Sequence, residues 1–259
     1  MGALAIEEAG DGVPVVLLHG LTATRRYVVM GSKMLERGGH RVIAYDARGH
    51  GQSAPASPYT YEALAADLQG VLDGAGVDRA VLAGASMGAH TLLRFALEHP
   101  ERALALVVIT PAFDPDGSEG DLERWDALSE GLRTGGVAGF VTAYGEPAVP
   151  ETMRETVLTV LRQRLSAHEH PEAVADALRE VPRSRAFSSW DDLARLDLPV
   201  TVVASRDEAD PGHPYAIGER YAEVIPGARL LTEEPGKSPL AWQGGQLSRV
   251  IAETAAQTG

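Results

Sequence analysis

The stretch RAVLAGASMG, residues 79–88, decides how this chain is read. Its first part is a continuous apolar, β-branched run, the pattern of a strand buried on both faces. It ends in GASMG (residues 84–88), of the form G-x-S-x-G, and a helical pattern follows to about residue 98. Between a strand and a helix, a glycine-flanked serine can sit on a sharp turn that holds its hydroxyl out over a sheet. The glycines leave room for the tight backbone, and the helix N-terminus favours negative charge developing nearby. Any glycine-flanked serine before a helix fits the same pattern, so the surroundings must decide.

On either side, the chain alternates similar strands with amphipathic segments. VPVVLLHG (13–20), HRVIAYD (40–46) and LALVVIT (104–110) read as further buried strands, with helices expected at about 24–38, 61–75 and 87–98. Strands alternating with helices predict a mostly parallel, doubly wound α/β sheet with crossover helices on both faces. The rhythm changes from 113 to 187, where no buried-strand pattern occurs. Met153, Val157, Val160, Leu161 and Leu165 fall there at helical spacing, after the polar stretch DPDGSEGD (114–121). It resumes with LPVTVVAS (198–205), a helix near 212–224, ARLLTEE (228–234) and a closing helix from about 238. The expected organisation is a core formed by 1–112 and 188–259, with a helical insertion at 113–187.

Composition narrows the function. The chain has 259 residues, 44% of them hydrophobic, enough for one large core. A formal charge of −13, with acidic residues spread along the chain, disfavours nucleic acid and anionic membrane surfaces, whose phosphates it would repel. With no cysteine, disulfides, thiolate metal sites and a cysteine nucleophile are excluded. Residues 1–8 lack the basic and apolar regions of a signal peptide, and Ile6 stands where a myristoylation motif after Met1-Gly2 wants Ser or Thr. No apolar run is long enough to span a bilayer. A cytoplasmic protein acting on a small molecule, with no cofactor and no metal, is expected; oligomeric state is left open.

Two further motifs follow the first two strands. HGLTAT (19–24) is a loop that can aim the Leu21 N–H at an oxyanion, and DARGHGQS (46–53) is a glycine-rich turn. In combination, order and spacing, HG, D-x-R-G-x-G-x-S and G-x-S-x-G resemble the α/β-hydrolase family over essentially the whole chain. The resemblance implies Ser86 as nucleophile, the N–H groups of Leu21 and Met87 as oxyanion hole, and a helical cap at 113–187. It places the acid in ASRDEADP (204–211), where Asp207 matches by its position after a strand; Asp210 is the runner-up and Asp114 a remoter option.

One expected part is absent. In this family a histidine follows the acid, usually in a GH turn after the last strand, and here that slot reads EEPGKSPLAW (233–242), with Lys237 in the histidine's place. A lysine beside a carboxylate stays protonated, so Lys237 reads first as an ion-pair partner of Asp207, then as a cation facing substrate, and last as a general base. Among the eight histidines only His213 follows Asp207, and it is the candidate substitute base, set against a solvated helix start. His90, four residues beyond Ser86, reads as a packed core histidine, and His19 as structural. His168 and His170 read as an exposed helix end. Arg25 and Arg26 read as solvated, or as contacts for an anionic substrate or an acidic cap residue, and Trp242 either lines the pocket or packs the last helix. The leading expectation is hydrolysis of an ester, thioester or lactone through an acyl-Ser86; the alternative is a protein of this fold with lyase-like, cyclase-like or purely binding function.

Overall fold

Alternate residues of each central strand pack to opposite faces of one sheet. In β2 (Val13–Leu18), which runs between β1 (Ile6–Ala9) and α1 (Met34–Arg37) in the chain, Val16 and Leu18 join one apolar cluster while Val15 and Leu17 join another. The same alternation recurs after β3 (His40–Tyr45) and α2 (Tyr61–Gly74). In β4 (Ala80–Ala85), Leu82 faces one cluster, and Val81 and Ala83 the other. Such strands read as unbroken apolar runs because helices cover both faces. The computed structural model describes residues 3–117 and 122–258. The Met1-Gly2 pair and residues 118–121 of the polar stretch lie outside the described residues.

The remaining elements are α3 (Met87–Glu98), β5 (Ala103–Ile109), α4 (Leu122–Tyr144), α5 (Glu151–Leu165), α6 (Pro171–Glu180), α7 (Trp190–Leu193), β6 (Val200–Val203), α8 (Tyr215–Val224), β7 (Arg229–Leu231) and α9 (Gly244–Ala255). The sheet order is β1-β3-β2-β4-β5-β6-β7, with β1 antiparallel to β3 and every other pairing parallel. Strand β3 lies on one side of β2 and β4 on the other. The winding direction therefore reverses between β2 and β4, the topological position at which open α/β sheets bind ligands beyond the C-terminal ends of their strands.

Helices α4, α5 and α6 form an excursion between β5 and β6, lying where the sequence predicted helices. Gly136, at φ 58°, kinks α4. Contacts tie the excursion and the segment after it to the connection from β3 into α2: Glu180 accepts from Tyr59 N at 2.7 Å, Ser184 Oγ accepts from Tyr61 N at 2.9 Å, and His168 accepts from Gly51 N at 2.8 Å. No helix among the described residues is long and apolar enough to cross a membrane.

Three expectations are corrected. The helix expected over 24–38 is instead a short 3-10 turn, Arg25–Tyr27, and the single turn of α1; Met30 and Gly31 adopt φ 48° and φ 73°, which ends any right-handed helix there. Strand β1 was not anticipated, since IEEA offers no apolar alternation to read. The closing helix begins at Gly244 after a 3-10 turn, Leu240–Trp242, whose Trp242 packs against the α9-side cluster.

Candidate active site

The turn from β4 into α3 sets Ser86 at φ 51°, ψ −113°. A non-glycine residue held there costs on the order of 1–3 kcal/mol and persists only where its surroundings over-determine it. Here they do. Ser86 N–H donates to Ile109 O at 2.9 Å, and Ser86 O accepts from His90 N at 3.0 Å. Both flanking glycines are required by close backbone approach. A Cβ on Gly84 would run into the Gly88 carbonyl, and one on Gly88 into the Leu18 carbonyl. The G-x-S-x-G pattern therefore arises from the packing of β4, α3 and the end of β2 in one place.

The HG loop passes directly beside this serine. A Cβ built on Gly20 would lie 3.5 Å from Ser86 Cβ, ordinary van der Waals contact. Met87 opens α3, so its N–H belongs to the first turn, whose donors have no intrahelical acceptor. Leu21 N–H donates to no backbone carbonyl of the turns and loops among the described residues. Ser86 thus has free backbone donors on both sides, and among the described residues its own hydroxyl makes no hydrogen bond.

Three consecutive carbonyls of the HG loop are each met by a different histidine. His19 Nδ1 donates to Gly20 O at 2.8 Å, since its Nε2 is occupied accepting from Ala47 N at 2.9 Å. His168 Nε2 donates to Thr22 O at 3.3 Å, since its Nδ1 accepts from Gly51 N. Between them, His50 Nε2 lies 2.7 Å from Leu21 O and Nδ1 2.9 Å from Arg48 O, so the neutral ring donates to one of these carbonyls and abuts the other. The rings touch in sequence, with centroids 5.3 and 5.5 Å apart. Burial holds all three pKa values below the usual imidazole range, that of His168 down to about 4, with the neighbouring histidine adding to the effect for His19 and His168. With its carbonyls pinned this way, the loop is stiffened next to Ser86.

A family model for the alpha/beta hydrolase fold matches residues 13–237, most of the chain. The chain belongs to the alpha/beta hydrolase family. The AB hydrolase superfamily protein YisY of Bacillus subtilis is 32% identical to it, covering 86% of each chain. The sn-1-specific diacylglycerol lipase ABHD11 of Mus musculus is 40% identical, but this match spans only 37% of this chain and 31% of that one. Among solved structures, a malate-bound thermophilic esterase from Thermogutta terrifontis superposes with a TM-score of 0.82 at 28% identity, covering 99% of this chain and 94% of that one.

In this alpha/beta hydrolase the acid loop after β6 presents two aspartates differently. Asp207 is exposed, and its Oδ1 accepts from Tyr215 N at 2.7 Å, capping the entry to α8. Asp210 is more buried and holds His213, whose Nδ1 lies 2.9 and 3.0 Å from its two carboxylate oxygens. His213 is therefore half-buried and oriented rather than a solvated helix start, and its Nε2 makes no hydrogen bond among the described residues. It lies near enough to His90 for its charge to help lower that residue's pKa, an effect second to burial, and the two together bring His90 down to about 3. His90 itself is a packed residue, as expected from the sequence: Nδ1 meets Tyr61 Oη at 3.0 Å and Nε2 accepts from Ala112 N and Phe113 N at 3.1 and 3.2 Å.

Lys237 stands apart from these groups. Buried Glu233 accepts from Arg206 N at 2.7 Å, tying the exits of β7 and β6 together. The chain then turns at the surface, with Lys237 N bonded to Glu234 O at 3.0 Å. The side chain is exposed and forms no ion pair among the described residues, so the expected contact with Asp207 is not made. The Asp114 carboxylate accepts from Asp116 N at 2.9 Å, and its carbonyl from Gly117 N at 3.2 Å. Arg25, expected to be solvated, pairs instead with buried Asp46 and donates to Gln52 at 2.8 Å. His168 is likewise buried, whereas the sequence pointed to an exposed helix end; its neighbour His170 stays partly exposed. No group of three or more His, Cys, Asp or Glu among the described residues could hold a metal ion.

Proposed function

We propose that this chain is a serine hydrolase that cleaves an ester, thioester or lactone of a small molecule through an acyl-Ser86 intermediate. The observation that carries this reading is the strained turn holding Ser86 against the HG loop, its hydroxyl free and backbone donors on either side. In the reaction Ser86 Oγ attacks the carbonyl carbon, and the N–H groups of Leu21 and Met87 take the developing oxyanion. The likeness to the Thermogutta terrifontis esterase supports the same class of substrate.

The base in this proposal is His213, kept in one tautomer by Asp210 so that Nε2 is the nitrogen available to accept the serine proton. That proton then passes to the leaving alcohol or thiol, and a water activated the same way releases the acid. Contact between His213 and Ser86 forms when substrate fills the crevice, since catalytic hydrogen bonds are often long in empty sites. Lys237 has no part in the chemistry. The helices of 113–187 act as the cap, and the protein works on dissolved small molecules.

The test is labelling with a fluorophosphonate probe and hydrolysis of p-nitrophenyl butyrate, with and without Ser86→Ala. Labelling and turnover that both vanish in the variant support the proposal; wild-type protein that neither labels nor turns over defeats it. The free Ser86 hydroxyl favours a second reading, in which the crevice binds a small molecule without hydrolysis. That reading expects ligand-induced thermal stabilisation that is unchanged in Ser86→Ala.

A further inference from the structure

Arg164, in the last turn of α5, forms no ion pair among the described residues. Its guanidinium carbon lies 5.1 Å from the centre of the Tyr27 ring, and Tyr27 ends the 3-10 turn just beyond the HG loop. Its Nε is buried with no hydrogen-bond partner, and no carboxylate among the described residues pairs with it. The contrast with its helix neighbour is direct, because Arg162 pairs with Glu155 at 3.1 Å in solvent. Burial lowers the Arg164 pKa, while Tyr27, Asp210 and Tyr144 oppose that shift from beyond pairing distance. Asp210 is already engaged by His213. The guanidinium therefore lies against the turn that follows the HG loop, within electrostatic reach of Asp210, which holds the proposed base.

A guanidinium that is largely buried and makes no hydrogen bond among the described residues is costly, and an anion bound at its outer nitrogens offsets part of that cost. The residue as a whole keeps partial exposure, so a ligand can reach the outer nitrogens of the fork. We propose that Arg164 is a specificity residue that anchors a carboxylate on the substrate, so that the preferred ester, thioester or lactone bears an anionic group away from the bond that is cut. This rests on the acyl-Ser86 reading. A single planar fork matches one carboxylate bidentately, whereas a phosphate dianion calls for more donors than this one residue and would face Asp210 nearby. Cation–π contact with Tyr27 holds the fork in place before the ligand arrives.

The experiment compares p-nitrophenyl butyrate with mono-p-nitrophenyl glutarate, whose acyl chain is that of butyrate with a terminal carboxylate added. Wild-type protein is expected to prefer the glutarate ester. Arg164→Met is expected to lower kcat/KM on that ester about 30-fold, the scale of a hydrogen-bonded charge contact, and on butyrate by no more than about twofold. Equal losses on both esters, no loss on either, or a wild-type preference for butyrate overturns the assignment. Arg164→Lys keeps the charge without the fork and is expected to fall between the two; it decides the question if the methionine variant does not fold. Calorimetry with free glutarate on wild-type protein separates this idea from the one beneath it. If no ester is hydrolysed but glutarate binds and Arg164→Met abolishes the binding, the anion site stands and the hydrolase reading falls. If esters are hydrolysed but glutarate binding is absent or indifferent to Arg164, the reverse holds. Inorganic phosphate binding more tightly than glutarate would refute the carboxylate assignment.

Discussion

His213 Nδ1 lies 2.9 Å from Asp210 Oδ1, while Asp207, three residues earlier in the same loop, caps α8 through Tyr215 N. The two aspartates therefore separate cleanly by experiment. Asp210→Asn is expected to lower kcat for ester hydrolysis by roughly 100-fold or more, because it no longer stabilises the imidazolium that forms as the serine proton moves. His213→Gln is expected to cost at least as much, on the order of 10²–10⁴-fold, the usual range for losing a general base. Asp207→Asn, which still caps, and Lys237→Met are expected to stay within about threefold of wild type, as exposed groups outside the chemistry do. Steady-state kinetics on one neutral ester checks all four, and a large loss in Lys237→Met would reverse the assignment of the base.

Gly88 offers a test of the elbow that does not depend on chemistry. Its missing side chain is where the Leu18 carbonyl sits, so Gly88→Ala must push α3 away from β2. Overpacking of this kind typically costs about 1–3 kcal/mol, and backbone has less freedom to yield than a side chain. Urea unfolding is expected to show a loss at the upper end of that range, with unchanged slope. A variant as stable as wild type would mean that the turn has more slack than its geometry allows.

How far this site could be read from sequence depended on how local each signal was. The strained turn at Ser86 was legible because steric demands at Gly84 and Gly88 leave a short pattern in consecutive residues. The central parallel strands were legible for a similar reason, since burial on both faces writes itself as an apolar run, whereas the edge strand β7 is only partly buried. Strand β1 carries no such run and forms only because the edge of β3 is there to pair with. The sequence singled out the loop at 204–211, but which of its two aspartates is the more buried was not legible. That depends on how 206–213 coils, with Asp210 N bonded to Arg206 O and His213 N to Asp210 O. The buried role of His168 left no local trace at all, because its partners Gly51 and Thr22 lie 117 and 146 residues away. Arg164 could not be distinguished from its exposed neighbours on α5 until the helix was packed.

The buried histidines predict an acid-sensitive fold. His168 and His90 have pKa values depressed to about 4 and about 3 in the folded chain, against 6.5 as the ordinary value. The unfolded chain takes up protons first as pH falls, so their contribution is complete above about 6.5 and is lost progressively towards those lower values. At pH 5.5, one unit below the ordinary value, each histidine should have given up roughly 1 kcal/mol. Urea unfolding at pH 7.5, 6.5 and 5.5 is expected to show stability falling with pH, and less steeply in His168→Gln. Stability that rises on acidification through this window contradicts the neutral, buried rings.

The histidine row also bears on catalysis, through the carbonyls it holds. His50 Nε2 lies 2.7 Å from Leu21 O, a contact that helps to hold the loop carrying the Leu21 N–H. His50→Leu keeps Ser86, Met87 and the His213–Asp210 pair, but frees the loop. An oxyanion donor is worth about 10²–10³-fold in kcat when removed outright, so loosening one is expected to cost about 10-fold, mostly in kcat and little in KM. His170→Leu, changing a partly exposed histidine that bonds none of these carbonyls, serves as the control and is expected to leave both constants unchanged. A His50→Leu enzyme that loses stability but keeps its kcat would reduce the row to packing. A kcat loss in folded protein identifies His50 as a positioning residue acting through Leu21.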